Sequence, residues 1–217
     1  MNDDRAGAGP LRFLILGAST RRESLNKRLA RLAVEVVERN GGIVDYITMA
    51  DIDMPLYNAD VQDSAGFPPG ADRLRGLLAA ADGFVISSPE YNFTMPGALN
   101  NAIDWVSRYR PHPLKGKHGL LMSASPSMAG GNRGLWALRV PLEHLGAHVY
   151  PDMFSLAQAH TAFDEGGRIS NGQLQEWFEG NVSAFMDLVE AAKHYPCAKR
   201  HWIEFLGEQP SPLTARA

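Results

Sequence analysis

Three stretches of the sequence gather groups able to hold an anion, a flat ring or a closely approaching ligand. The first is Gly17-Ala18-Ser19-Thr20-Arg21-Arg22-Glu23-Ser24-Leu25-Asn26. Its hydroxyls, guanidiniums and amide stand just ahead of a segment with helical periodicity. The free N–H groups and positive dipole end of a helix N-terminus favour an anion, and arginine adds charge-assisted, bidentate bonds to phosphate oxygens. The stretch has neither GxGxxG nor GKS/T, so a monophosphate is the ligand it suits. A plainer reading stands beside this one, with Ser24 capping the helix and the arginines solvated.

The second stretch is Ser87-Ser88-Pro89-Glu90-Tyr91-Asn92-Phe93-Thr94-Met95-Pro96-Gly97. Two prolines stiffen the backbone on either side of aromatic and amide side chains. Such a turn can aim backbone N–H groups at ring heteroatoms while aromatic residues offer a stacking surface; an ordinary loop whose aromatics fill core is the alternative. The third is Ser123-Ala-Ser-Pro-Ser-Met-Ala-Gly-Gly-Asn-Arg133, whose adjacent glycines permit close backbone approach. On composition alone it reads equally well as a flexible loop.

The elements that must position these loops follow from hydrophobic periodicity. Strands are predicted over Leu11–Gly17, Ile43–Ile47, Gly83–Ser88, Gly119–Ser123 and Ala147–Tyr150. Between them, Leu25, Leu29, Leu32 and Val36 mark a helix that Asn40-Gly41-Gly42 stops. Residues 49–70 read as loop, followed by a helix over 72–81. Pro96-Gly97 opens a helix with Leu99, Ala102, Ile103 and Val106 on one face. Another carries Leu135, Leu138, Leu142 and Leu145, with Pro141 expected to kink it. The last carries Leu174, Phe178, Val182, Phe185 and Val189. Five strands alternating with helices imply right-handed crossovers and a parallel sheet of order 2-1-3-4-5 with helices on both faces. In that order the switch point lies between strands 1 and 3, where ligands bind. The first two loops fall there.

Composition narrows the function classes. The protein has 217 residues, 45% apolar and 21% charged, which suits one α/β domain. A formal net charge of −3 offers no field to recruit nucleic acid or an anionic membrane. No run is long enough to span a bilayer, and the acidic start Met1-Asn2-Asp3-Asp4 is unlike a signal peptide. One cysteine, Cys197, fits a reducing compartment, and a cytoplasmic protein is expected. His144 and His148 are four apart, but Gly146 breaks the helix that would align them, so no metal site is expected. The organisation read from the sequence is a flexible leader over 1–10, a domain over 11–193, and an extension over 194–217 with Trp202, Ile203 and Phe205.

The loops resemble those of the NADPH-dependent FMN reductase family, which includes flavin-dependent quinone, azo-dye and chromate reductases. The resemblance rests on Ser19-x-Arg21-x-x-Ser24-x-Asn26, on Pro89-Glu90-Tyr91-Asn92-x-x-x-Pro96-Gly97-x-Leu99-x-Asn101-Ala102-x-Asp104-Trp105, on the Gly-Gly loop and on the Leu145-Gly146-Ala147 step. It covers residues 11–193 and implies a flavodoxin-like three-layer sandwich. It further implies that Ser19, Arg21, Ser24 and Asn26 hold the FMN phosphate. Pro89, Glu90, Tyr91 and Asn92 would lie along the ribityl group and isoalloxazine, with Ser125 and Gly130 covering the other side. The sequence departs from the family's common pattern at Ala18, Asn100 and Ser125-Pro126-Ser127. The activity implied is a ping-pong transfer of electrons from NADPH or NADH to a small acceptor such as a quinone, free flavin, azo compound or metal oxyanion. A homodimer or homotetramer is implied as well. The competing classes are a flavodoxin-type electron carrier and a flavin-binding regulatory module.

Overall fold

A computed structural model describes residues 9–205, with side chains described through residue 194. The leader residues before 9, and the side chains of Cys197, Trp202, Ile203 and Phe205, lie outside the described part. The elements are β1 (Arg12–Gly17), α1 (Leu25–Arg39), β2 (Ile43–Thr48), a 3-10 turn (Met49–Ile52), α2 (Ala59–Ala65), α3 (Pro69–Ala80) and β3 (Gly83–Ser87). After these come α4 (Gly97–Val106), β4 (His118–Ala124), α5 (Asn132–His144), β5 (His148–Val149), β6 (Phe154–Leu156) and α6 (Gly172–Phe205).

The strands form one parallel sheet in the order β2-β1-β3-β4-β5, with β6 also paired to β4. β1 and β3 are buried almost throughout, as parallel strands covered on both faces must be. One face packs Phe13, Ile15, Val85, Leu120 and Met122 against α1 and α6. The other packs Leu14, Leu16, Phe84, Ile86 and Leu121 against α3, α4 and α5. The helix predicted from Leu25, Leu29, Leu32 and Val36 shows why spacing suffices. Leu29, Leu32 and Val36 are all buried on one side of α1, each contributing about 1.5–3 kcal/mol by leaving water.

Three expectations are corrected. The fifth strand is expected over Ala147–Tyr150, but only His148–Val149 pairs with the start of β4. Pro151 has no N–H to offer a ladder, and the polypeptide resumes as β6 beside Met122–Ala124. The sheet therefore has six strands. Residues 49–70, expected as loop, contain the 3-10 turn and α2. Asn58 caps α2 by accepting from the Asp60 N–H at 2.8 Å, and Gly66 ends it at φ 78°. Nothing in α2 is buried, so it has no apolar stripe for periodicity to detect. Finally, α3 starts at Pro69 rather than at 72, with proline at the first helical turn where its missing donor costs nothing.

α6 runs without a break from Gly172 to Phe205, so residue 194 falls inside a helix. Among the described residues no helix is long and apolar enough to cross a membrane.

Candidate active site

The ends of β1, β3 and β4 bring all three loops to one edge of the sheet. They are stitched there by the backbone. The Ala18 N–H donates to Ser87 O at 2.9 Å, and the Ser88 N–H donates to Met122 O at 2.8 Å.

The first loop leaves β1 and enters α1 through Ser24, whose extended backbone (φ −101°, ψ 128°) is that of an N-cap. Its hydroxyl accepts from the Lys27 N–H at a long 3.4 Å. No acidic residue lies in the first turn of α1, and Glu23, just before the cap, is exposed. Ser19 and Ser24 are buried while Arg21 and Arg22 are exposed. The Ser19 hydroxyl accepts from the Arg21 N–H at 3.3 Å. Buried hydroxyls and a helix end capped only by the long Ser24 bond, with exposed guanidiniums beside them, make a half-built anion cradle, which fits a phosphate.

Asn26 points inward. Its Nδ2 donates to Ala124 O at 2.8 Å, and its Oδ1 accepts from the Ala124 N–H at 2.9 Å and from Ser87 Oγ at 3.2 Å. One amide thereby ties α1 to the ends of β3 and β4. Three of its four hydrogen-bonding capacities are spent inside the protein.

The second loop is a miniature hairpin. Tyr91 and Thr94 exchange backbone hydrogen bonds of 2.9 and 3.1 Å around Asn92 and Phe93. Both central residues have positive φ, 51° and 66°, as tight two-residue turns that match strand twist demand. Asparagine tolerates this region, and phenylalanine does so at a cost of about 1–2 kcal/mol. Tyr91 and Phe93 are exposed at 49% and 64%, so the hairpin presents aromatic surface instead of filling core. Glu90 does the opposite. Its Oε2 accepts from the Gly134 N–H at 2.9 Å, and its Oε1 lies 3.4 Å from Arg133 Nε.

In the third loop, Ser125 Oγ accepts from the Ser127 N–H at 3.2 Å and lies 3.1 Å from Ser127 Oγ. Gly130 (φ 61°) presses on the backbone of 155–157, and a Cβ there would come within 3.0 Å of it. Gly131 (φ 86°) sits against Ser123 Oγ, a buried hydroxyl with no hydrogen-bond partner. Ser125 is thus engaged within its own loop, while Gly130 lets the loop lie close against β6.

The far half of the long motif works elsewhere. Asn101 Nδ2 and Trp105 Nε1 both donate to Pro55 O, at 2.9 and 2.8 Å, and Asn101 Oδ1 accepts from the Tyr57 N–H at 2.8 Å. Trp105, fully buried, meets the edge of Tyr57 at 5.0 Å. These side chains pin the segment after β2. Burial raises the Asp104 carboxyl above the usual carboxylate range, and Asn100 Nδ2 donates to it at 3.2 Å. Sequence reasoning does not single out Phe93, Arg133 or Gly134. Their types are visible in the loops, but their contacts join residues some forty positions apart.

A cavity of about 280 Å³ lies at the opposite, amino edge of the sheet, lined by Leu11, Gly41, Gly42, Asp187, Glu190 and Lys193. Its lining includes neither the first turn of α1 nor the aromatic hairpin, both of which stand at the carboxyl edge. His148 pairs with His118 on the neighbouring strand, ring centroids 5.0 Å apart, instead of with His144. Among the described residues no three metal-ligating side chains converge.

The family model of NADPH-dependent FMN reductases matches residues 11–161. The protein is 34% identical to a quinone reductase of Escherichia coli over 185 residues, covering 84% of this chain and 97% of that protein. An NAD(P)H-dependent FMN reductase of Pseudomonas aeruginosa is 34% identical over 187 residues, covering 85% and 95%. Among solved structures, a flavoenzyme NAD(P)H:(acceptor) oxidoreductase of Paracoccus denitrificans superimposes with a TM-score of 0.72 at 27% identity, covering 84% of this chain and 98% of that one. With a flavodoxin-like sheet and loops of this kind, the protein belongs to the NADPH-dependent FMN reductase family.

Proposed function

We propose that this protein is an FMN-dependent NAD(P)H oxidoreductase that passes electrons to a small acceptor, a quinone first among the candidates, by a ping-pong cycle. The observation that carries the reading is the juxtaposition at one sheet edge of a helix N-terminus with no acidic residue in its first turn and an exposed aromatic hairpin. The first suits a phosphate and the second a flat ring, and FMN has both.

FMN, when bound, supplies the redox chemistry; the protein binds, orients and screens. Ser19, Ser24 and Arg21 would hold the phosphate, with the backbone N–H groups of the first turn of α1 behind them. Asn26 would act by fixing the loops that frame the cleft. Pro89, Tyr91 and Asn92 would border the ring system, Glu90 contributing its backbone, with Ser125 on the opposite rim. N–H donors fixed in these loops suit negative charge developing on a ring carbonyl, because they need no reorganisation when it appears. Nicotinamide and acceptor would use the same open face in turn, which is what a ping-pong order requires. Exposed Tyr91 and Phe93 support an adjacent subunit near the cleft, as a homodimer or homotetramer would place it. The single cysteine supports a cytoplasmic setting.

The test is to mix purified protein with FMN, NADPH and a quinone. Rapid nicotinamide oxidation, with parallel double-reciprocal lines as either substrate is varied, is expected. Tight flavin binding without turnover would replace the enzyme by an electron carrier, and absence of both would favour a regulatory module.

A further inference from the structure

The second and third loops are fastened together by side chains that the proposed chemistry does not use. The N-cap of α5 is Gly131, which has no side chain to offer. The cap comes instead from Glu90, some forty residues earlier, through its bond to the Gly134 N–H. A carboxylate at a helix N-terminus gains from both the free donor and the dipole. The Glu90 side chain is only 10% exposed, and Arg133 shields it at 3.4 Å. A Cβ on Gly134 would crowd Glu90 Cβ and Thr94 O at 3.1–3.2 Å, so this close seating favours glycine.

The guanidinium of Arg133 also lies 3.8 Å from the centre of the Phe93 ring, within the range of a cation–π contact. Phe93 is thus strained in its backbone, held by a cation on one face, and 64% exposed. Strain and exposure of a large apolar ring both cost free energy. A side chain that accepts both, beside the loops that gather at the carboxyl edge, has a contact still to make.

We propose that Glu90, Arg133 and Phe93 form a latch in which Glu90 and Arg133 are positioning residues and Phe93 selects planar acceptors. The latch sets the height of the Phe93 ring at the cleft mouth, so that a flat quinoid acceptor is sandwiched while a compact one is not. This proposal rests on the reductase reading above.

Glu90→Gln, Arg133→Met, their double variant and Phe93→Leu test it. In flavin-free protein, amide hydrogen exchange at Tyr91 and Thr94 is expected to accelerate at least about tenfold in both single latch variants, with β3 unchanged. The double variant should exchange no faster than the faster single, because the two residues act as one unit. In FMN-loaded enzyme, the KM for a naphthoquinone should rise about fivefold or more in all three single variants. The KM for ferricyanide, which is not planar, should stay within about twofold. Unchanged exchange in Glu90→Gln and Arg133→Met overturns the latch, and so do additive effects in the double variant. Parallel changes in KM for both acceptors overturn the selectivity of Phe93. Wild-type protein without turnover sinks the reductase reading instead, and the exchange experiment still decides the latch.

Discussion

Replacing Asn26 with alanine should cost about 3 kcal/mol of stability. The side chain supplies three hydrogen bonds of 2.8, 2.9 and 3.2 Å to Ala124 and Ser87, and those partners are 3% and 0% exposed. Removing the amide strands a backbone N–H and a backbone carbonyl away from water, at about 1–3 kcal/mol each. The Ser87 hydroxyl can rotate, and a water entering the vacated space recovers part of the loss. For a domain of this size each kcal/mol moves Tm by about 2–4 °C, so thermal unfolding should come roughly 6–12 °C earlier. Asn26→Asp is the sharper variant. One oxygen still accepts from Ala124 and Ser87, but the other faces the Ala124 carbonyl, where only a protonated carboxyl can donate. Its folded pKa must then lie above the unfolded value of about 3.9, so the native state binds more protons and stability falls as pH rises. The deficit against wild type should be small near pH 4 and largest at neutral pH. Urea and thermal melts of both variants across that range are the assay. A Tm change below about 2 °C for Asn26→Ala, or a pH-independent deficit for Asn26→Asp, would refute the tie.

Arg21→Ala should weaken FMN binding by about 1.5–3 kcal/mol, the worth of a charged hydrogen bond, and flavin fluorescence titration would show a Kd raised roughly tenfold or more. That loss should shrink at high salt, because Arg21 is exposed. Gly131→Ala meets two penalties, a positive φ and a collision with Ser123 Oγ. Ser123→Ala alone should be close to neutral, since that hydroxyl has no partner to lose. Combined with Gly131→Ala, it should recover only part of the Tm loss, since the Cβ of residue 123 still stands 2.9 Å from the new methyl and the positive φ remains; no recovery at all would contradict the hydroxyl contact. Burial, and secondarily His148, push the His118 imidazole below its usual pKa of 6.5. The unfolded state therefore binds more protons just below that pH, and stability should fall as pH drops from about 7 through the folded pKa. Chemical denaturation at several pH values should show a shallower fall in His118→Gln, and an identical slope would count against the assignment.

Much of this architecture is legible in the residues. Leu14, Leu16, Phe84 and Ile86 sit in short apolar runs, and Leu29, Leu32 and Val36 recur at helical spacing, because burial on a sheet or helix imposes its own period. The loops that meet at the switch point are visible too, since parallel order fixes which strand ends adjoin. What escapes has equally definite causes. α2 buries nothing and leaves no periodic trace. β6 has only three residues and is a strand because β4 has a free edge beside it.

The roles of individual side chains are settled only by the fold. Asn26, Glu90 and Tyr91 look alike in the sequence as polar or aromatic members of two ligand-like loops. In three dimensions Asn26 is consumed by Ala124 and Ser87, Glu90 caps a helix some forty residues on, and Tyr91 alone faces solvent. Residue type and spacing determine which groups are available and at which sheet edge they gather. Which of them remain free to meet a ligand depends on hydrogen-bond partners supplied by distant segments, and no local pattern encodes those.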